Sequence, residues 1–262
     1  MNYKMLLPDY RARYLSIFKI IGKKFKRKNE EFLDIGCGEA DCHINYVNFF
    51  SRGNGVDINK NDIKFARKLN KQLPIQYECS SYEKLNEKKK YGCIIITEVI
   101  EHVDNPKKII KKTSALLKNN GIAIFTFPRF HFPFFYDPIN YILNKFNLRL
   151  PIGAYAFNHN KLIMDNDFAK WVSAEGLEII GKENLGGPLI SILQIYWVGL
   201  IQKLIKANHQ NNSKNIKKKI LRPTSEISIF TKFTDFIVHL DKAITTKNAR
   251  TIGALYILRK QS

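Results

Sequence analysis

From residue 31 to residue 127 the chain repeats one pattern five times, a short apolar run of strand length followed by a longer segment with helical spacing. The runs cover residues 31–34, 54–57, 75–79, 93–97 and 122–127. Their apolar residues are nearly continuous rather than alternating. That pattern belongs to strands covered on both faces, which means a parallel sheet flanked by helices. The repeat therefore predicts the α/β class with a doubly wound sheet. With 262 residues, 45% hydrophobic and 12% aromatic, the chain can bury the core such a sheet needs, and it reads as one domain over 1–262.

Around this repeat the other elements are placed by spacing and punctuation. Tyr14, Ile17, Phe18 and Ile21 form the apolar stripe of a helix from Tyr10 to about Lys26, closed by the basic cluster 23–28. Pro106 opens a crossover helix and Asn119-Asn120-Gly121 ends it. The proline- and aromatic-rich stretch 128–138 cannot be a regular element, and it begins a loop, 128–164, that caps a site. Asp165 or Asn166 caps a helix that stops at Gly176; residues 177–180 and 251–258 supply a sixth and a seventh strand. Between those two strands lies a helical and basic insertion, 185–248, far longer than an ordinary α/β connection. Its uncharged run 185–201 is short of a bilayer span and reads as a core, lid or interfacial helix; 206–219 reads as a solvated Asn/Lys loop.

Lys and Arg total 43 against 23 Asp and Glu, a formal charge of +20. Such a surface attracts nucleic acid, an anionic membrane or a phosphorylated substrate, although a general richness in Lys, Asn and Ile accounts for it as well. Cys37, Cys42, Cys79 and Cys93 show no two-residue spacing, and no clustered metal-ligand spacing appears elsewhere, so the expectation is reduced thiols and no metal. The N-terminal residues resemble neither a secretory leader nor a first membrane helix. A cytoplasmic protein follows, with peripheral membrane contact through 185–219 as an option.

The chemistry begins at Gly36-Cys37-Gly38, directly after the first strand and with a helix expected from about Asp41. Strand, glycine turn and helix in that order form a nucleotide-cofactor turn. Read as a dinucleotide fingerprint, however, the third glycine position is Asp41, a carboxylate set against a pyrophosphate. A cofactor carrying positive charge suits Asp34, Glu39 and Asp41 better. Asp57 ends the second strand at the offset where an acid accepts ribose hydroxyls. Ser80, Ser81 and Tyr82 follow the third strand, and Thr97-Glu98-Val99-Ile100-Glu101-His102-Val103 follows the fourth.

Together with residues 118–125, these motifs resemble class I S-adenosylmethionine-dependent methyltransferases, in the branch of the ubiquinone-biosynthesis O-methyltransferases. The resemblance covers residues 11–181 and the last strand. It implies a Rossmann-like, seven-stranded sheet with an antiparallel last strand, and S-adenosylmethionine as cofactor, with S-adenosylhomocysteine as product. By position it implies Gly36, Cys37 and Gly38, with Asp34 behind them, at the cofactor's amino-acid part. Asp57 and Ile58 fall at the ribose, Ser81 or Tyr82 at the adenine, and Glu98 and Val99 near the methionine moiety. Arg11 matches the arginine that pairs with the cofactor carboxylate. Ala40 departs from a glycine common in relatives.

Methyl transfer needs mainly positioning, and a hydroxyl acceptor also needs a proton acceptor. His102 is the candidate base, with His131, Tyr155 and His159 behind it; His43, His209 and His239 read as surface or packing positions. The expected acceptor is a small molecule, anionic if the surface charge is informative: a sugar, a nucleotide-linked sugar or a quinol-like ring. A nicotinamide-dependent oxidoreductase and a non-catalytic membrane- or nucleic-acid-associated protein are the alternatives. No extra RNA-binding domain favours nucleic acid as substrate.

Overall fold

In a computed structural model of the chain, the described residues are 3–26, 28–151, 153–159, 161–194, 229–246 and 249–261. Seven strands form one sheet: β1 (Glu31–Ile35), β2 (Arg52–Asp57), β3 (Ile75–Cys79), β4 (Tyr91–Thr97), β5 (Leu117–Pro128), β6 (Leu177–Leu185) and β7 (Gly253–Lys260). Their order is β3-β2-β1-β4-β5-β7-β6, with β7 antiparallel to both of its neighbours. The chain moves outward from β1 in one direction and then resumes at β4 in the other. The carboxyl ends of β1 and β4 therefore flank a switch point, where α/β sheets bind their ligands.

The near-continuous apolar strands are explained by two cores. Leu33, Ile94, Ile96 and Phe125 face one side, against Ile109 and Ile110 of α4 (Pro106–Leu116) and Phe168 of α6 (Asp165–Ala174). Phe32, Cys93, Ile95 and Ile124 face the other, against Ile17 and Ile21 of α1 (Pro8–Lys24). Successive strand residues point to opposite faces, so both sets must be apolar. The remaining helices are α2 (His43–Tyr46), α3 (Lys60–Leu69), α5 (Pro138–Leu143), α7 (Pro188–Leu193) and α8 (Ile229–Ile244).

The class, strand count and direction of the last strand match expectation; several boundaries do not. The helix expected from Asp41 is only the single turn α2. The α4 helix ends at Leu116 rather than at Asn119-Asn120-Gly121, because extended, buried Leu117 already belongs to β5, and Asn120 takes a left-handed φ of 60° within it. Met164 precedes α6 without a side-chain cap, since Asp165 is occupied with Arg129 and Lys182. β6 continues to Leu185 past a register shift between Ile179 and Gly181, beyond the strand expected over 177–180. Residues 195–228, which carry the end of the run 185–201 and all of 206–219, lie outside the described residues. Among the described residues no helix is long and apolar enough to cross a membrane.

Candidate active site

The glycine turn is built by steric necessity. Gly36 has φ +76°, and a Cβ there would stand 2.2 Å from the Val99 side chain, so a residue without a side chain is required. Gly36 and Cys37 both donate their N–H to the Val56 carbonyl, at 2.8 and 3.1 Å. Gly38, also left-handed, donates to Asp57 Oδ2 at 2.9 Å, and Asn59 N–H reaches Asp57 Oδ1 at 2.8 Å. Two backbone donors thus fix the carboxylate at the end of β2.

Behind the turn sits a buried polar chain. Asn70 Nδ2 donates to the Tyr77 hydroxyl at 2.9 Å, Tyr77 meets His43 Nδ1 at 2.9 Å, and His43 Nε2 meets Asp34 Oδ2 at 2.7 Å. A neutral His43 protonated on Nε2 satisfies every link, with Tyr77 donating and Asp34 accepting. Burial pushes the Asp34 carboxyl up, against the opposing pull of His43. Asp34 Oδ1 is buried with no hydrogen-bond partner, leaving an acceptor for a donor that the described protein does not supply. His43, read as surface or packing, is 1% exposed and holds this chain together.

In front of the turn lies a cavity of about 460 Å³, within the range of about 300–1,000 Å³ typical of small-molecule sites. Of the expected cofactor residues, Gly36, Asp57, Ile58, Ser81 and Tyr82 line it, together with Glu98 and Val99 across the switch point. Ile58 is 79% exposed, an apolar surface presented to the cavity. Asp34 stands behind the turn instead, and the Cys37 thiol turns away to the packing around Ala40, Ile63 and Tyr77.

Arg11 is elsewhere. It pairs with Asp235 of α8 through Nε at 2.6 Å and Nη2 at 3.0 Å. Arg13 pairs with a residue of the cavity wall, its Nη1 lying 2.7 Å from Glu98 Oε1. Two residues along a helix turn the side chain by about 200°, so the two arginines point apart, Arg11 to Asp235 and Arg13 to Glu98. Glu98 itself has φ 54° and takes a second hydrogen bond from Thr126 Oγ1 at 3.0 Å. Asp41, set by sequence against a pyrophosphate, is buried and paired with Lys4 Nζ at 2.6 Å. That charge is answered within the chain, a partner far away in sequence.

His102 lines the cavity. Its Nε2 is 3.8 Å from Glu101 Oε1, and its ring centre is 5.1 Å from that of His159 in the cap. Glu101 is fully buried, with neither carboxylate oxygen hydrogen-bonded, and burial followed by the charge of Glu98 pushes its carboxyl well up. Burial also lowers His159, whose Nδ1 lies 2.9 Å from the Ala154 carbonyl. One ligand atom from each of Glu101, His102 and His159 falls within 4.8 Å of the others, a set able to hold a metal ion. Chain spacing had shown no such cluster, since its third member arrives from the cap. His131 belongs to a separate depression beside Arg129, and Tyr155 hydrogen-bonds Asn144 within the cap at 2.9 Å.

The methyltransferase-domain family matches residues 7–182. The chain belongs to that family and is an S-adenosylmethionine-dependent methyltransferase. A nicotinamide-dependent oxidoreductase and a non-catalytic role are thereby set aside. It is 33% identical over 205 residues to a ubiquinone biosynthesis O-methyltransferase of Pelagibacter ubique, covering 72% of this chain and 80% of the relative. It is 27% identical over 165 residues to one of Coxiella burnetii, covering 62% and 69%. The cyclopropane synthase MmaA2 of Mycobacterium tuberculosis superposes with a TM-score of 0.62 at 12% identity, covering 94% of this chain and 84% of that one. A putative sarcosine dimethylglycine methyltransferase of Galdieria sulphuraria gives 0.58 at 15%, covering 95% and 84%. At those identities the solved structures share the fold alone.

Proposed function

We propose that this enzyme methylates a hydroxyl on a quinol-like ring. The observation that carries the reading is the place of His102, in the wall of the cofactor cavity with Glu101 on one side and His159 of the cap on the other. The bound donor supplies a methyl carbon activated by a positive sulfur. Asp57, oriented by Gly38 and Asn59, keeps lone pairs for ribose hydroxyls. Ile58 and Tyr82 offer the apolar surface an adenine needs, and Arg13, in place of Arg11, takes the donor's carboxylate beside Glu98. The imidazole of His102 accepts the acceptor's proton, a contribution of about 10²- to 10⁴-fold where such a base operates. The names of the 33% and 27% identical relatives support a ring hydroxyl; nothing comparable supports a sugar.

Residues 128–164 close the acceptor side. A second cavity, about 610 Å³, shares Asp104 and Asn105 with the first and is walled by Phe130, Tyr155 and Trp171, with Lys107, Arg149 and Lys161 at its edge. It offers room for the rest of an acceptor, and its cations suit an anionic substituent.

The test is transfer from labelled S-adenosylmethionine to a panel of phenols, catechols and sugar nucleotides, with the methylated atom located in the product. Catechol or phenol O-methylation is expected; transfer to sugar nucleotides alone overturns the acceptor. His102→Ala should lower kcat about 100-fold while S-adenosylhomocysteine binds as before. An unchanged kcat overturns the base.

A further inference from the structure

Apart from the cofactor cavity and its neighbour on the acceptor side, one more cavity gathers charge that the fold does not use up. It measures about 240 Å³ and lies where the end of β5 meets the starts of β7 and α6. Arg129, Lys182 and Arg250 line it together with His131, and among the described residues Asp165 is the one acid in its wall.

The ties in this corner start from Arg129. That side chain is buried and joins four segments: Nε and Nη2 donate to Asp165 at 3.1 and 2.5 Å, and Nη1 donates to Asn184 of β6 at 3.0 Å and to Thr251, just before β7, at 2.8 Å. A buried guanidinium requires such partners. The same carboxylate also takes Lys182 Nζ at 2.9 Å. Burial raises the Asp165 carboxyl, but hydrogen bonds from Arg129 and Lys182 outweigh it and hold the group below its ordinary value. One negative charge is thus shared by two cations. Arg250 pairs with no acid among the described residues; it donates to the Tyr141 hydroxyl of the cap and lies over that ring, 5.6 Å from its centre. Three positive charges against one leave the cavity an excess of two. The tie between Arg129 and Asp165 needs neither Lys182 nor Arg250, and like charges brought together cost stability, so holding the fold does not account for the surplus.

We infer that this cavity binds a phosphate group. A doubly charged oxyanion cancels the excess, and its oxygens accept from a guanidinium and an ammonium at once. The volume falls below the range of about 300–1,000 Å³ that holds whole organic ligands, so the cavity suits one charged group rather than a second cofactor. It is also separate from the acceptor side: Arg129 and His131 line it, while Phe130 between them lines the neighbouring cavity of 610 Å³. Binding here is therefore independent of which acceptor the enzyme methylates.

Calorimetric titration of inorganic phosphate into enzyme saturated with S-adenosylhomocysteine tests this, in chloride buffer of fixed ionic strength. One saturable site is expected. Lys182→Ala/Arg250→Ala should weaken it about tenfold or more, the loss of two charge-assisted hydrogen bonds, while S-adenosylhomocysteine binds as before. Arg250→Ala alone leaves both Asp165 pairs in place and should still weaken phosphate severalfold, which covers the case of a double variant that does not fold. Lys23→Ala/Lys24→Ala makes the same change of charge in the last turn of α1 and should leave the affinity unaltered. Phenyl phosphate separates the sources of the group: tighter binding than inorganic phosphate assigns it to a phosphorylated molecule, equal or weaker binding to the free ion. The inference is overturned if phosphate shows no saturable binding, if the folded Arg250 variants bind it as the parent does, or if the Lys23→Ala/Lys24→Ala control loses as much, which would reduce the effect to the +20 charge of the whole chain.

Discussion

The glycine turn and the cap face each other across the site, and they are held by different means. The turn is locked from in front by backbone donors on Asp57 and from behind by the buried chain from Asn70 through Tyr77 and His43 to Asp34. The cap is a run of short helices and loops stapled by one acid. Asp137 accepts Asn140 N–H at 3.1 Å, Asn140 Nδ2 at 2.7 Å and Ala154 N–H at 2.8 Å, and left-handed Gly153 leaves room for it. A shared cofactor is held by rigid, locally encoded geometry; an acceptor is chosen by loops that can vary without disturbing it. The two regions should therefore be breakable one at a time.

The largest effect is expected behind the turn. Asp34→Ala removes the charge His43 donates to and leaves a buried ring nitrogen unsatisfied, which should cost about 3 kcal/mol of unfolding free energy. Urea denaturation measures it; a loss under about 1 kcal/mol means the chain is not cooperative. Next comes Asp57→Ala, which frees the Gly38 and Asn59 amides and deletes the proposed ribose acceptor. Calorimetry should show S-adenosylmethionine binding weakened tenfold or more, about 2 kcal/mol, and unchanged affinity would refute the site. Asp137→Ala tests the other side. Losing three hydrogen bonds within the cap should cost about 1–2 kcal/mol locally and appear as a raised KM for the acceptor with cofactor affinity intact. A parallel fall in cofactor affinity would erase the distinction between the two regions.

The same distinction explains what could be read from the sequence. Gly36, Gly38 and Asp57 were legible because strand, turn and acid are close in sequence and each has a steric or electrostatic reason to be where it is. The central strands were legible because two cores demand apolar residues on both of their faces. The Arg13–Glu98 pair was not, since helical spacing separates Arg13 from Arg11 without saying which acid each one meets. Asp41 was misread for want of Lys4, and the Glu101–His102–His159 cluster was invisible until the cap closed on it. The outward face of α8 was hidden too: Phe230, Phe233 and Phe236 are exposed while Thr231, Thr234 and Asp241 are buried, and an apolar stripe at helical spacing looks the same whether it faces a core or the outside. Contacts between distant segments are what the linear pattern lacks.

The smallest effect lies at Ala40, where the resemblance led us to expect a glycine. Ala40 holds φ 54° while 4% exposed, packed with Ile63, Ala66 and Tyr77. A left-handed backbone costs a residue with a Cβ about 1–2 kcal/mol. Ala40→Gly relieves that strain but loses one buried methyl, worth about 0.8 kcal/mol, and adds backbone freedom to the unfolded chain. The balance should be within about 0.5 kcal/mol of zero, read as a denaturation midpoint that barely moves. A gain above about 1 kcal/mol would show that the turn is held under strain by the network behind it. In that case the effect should disappear in the Asp34→Ala background, because the residues that enforce the turn would already have relaxed.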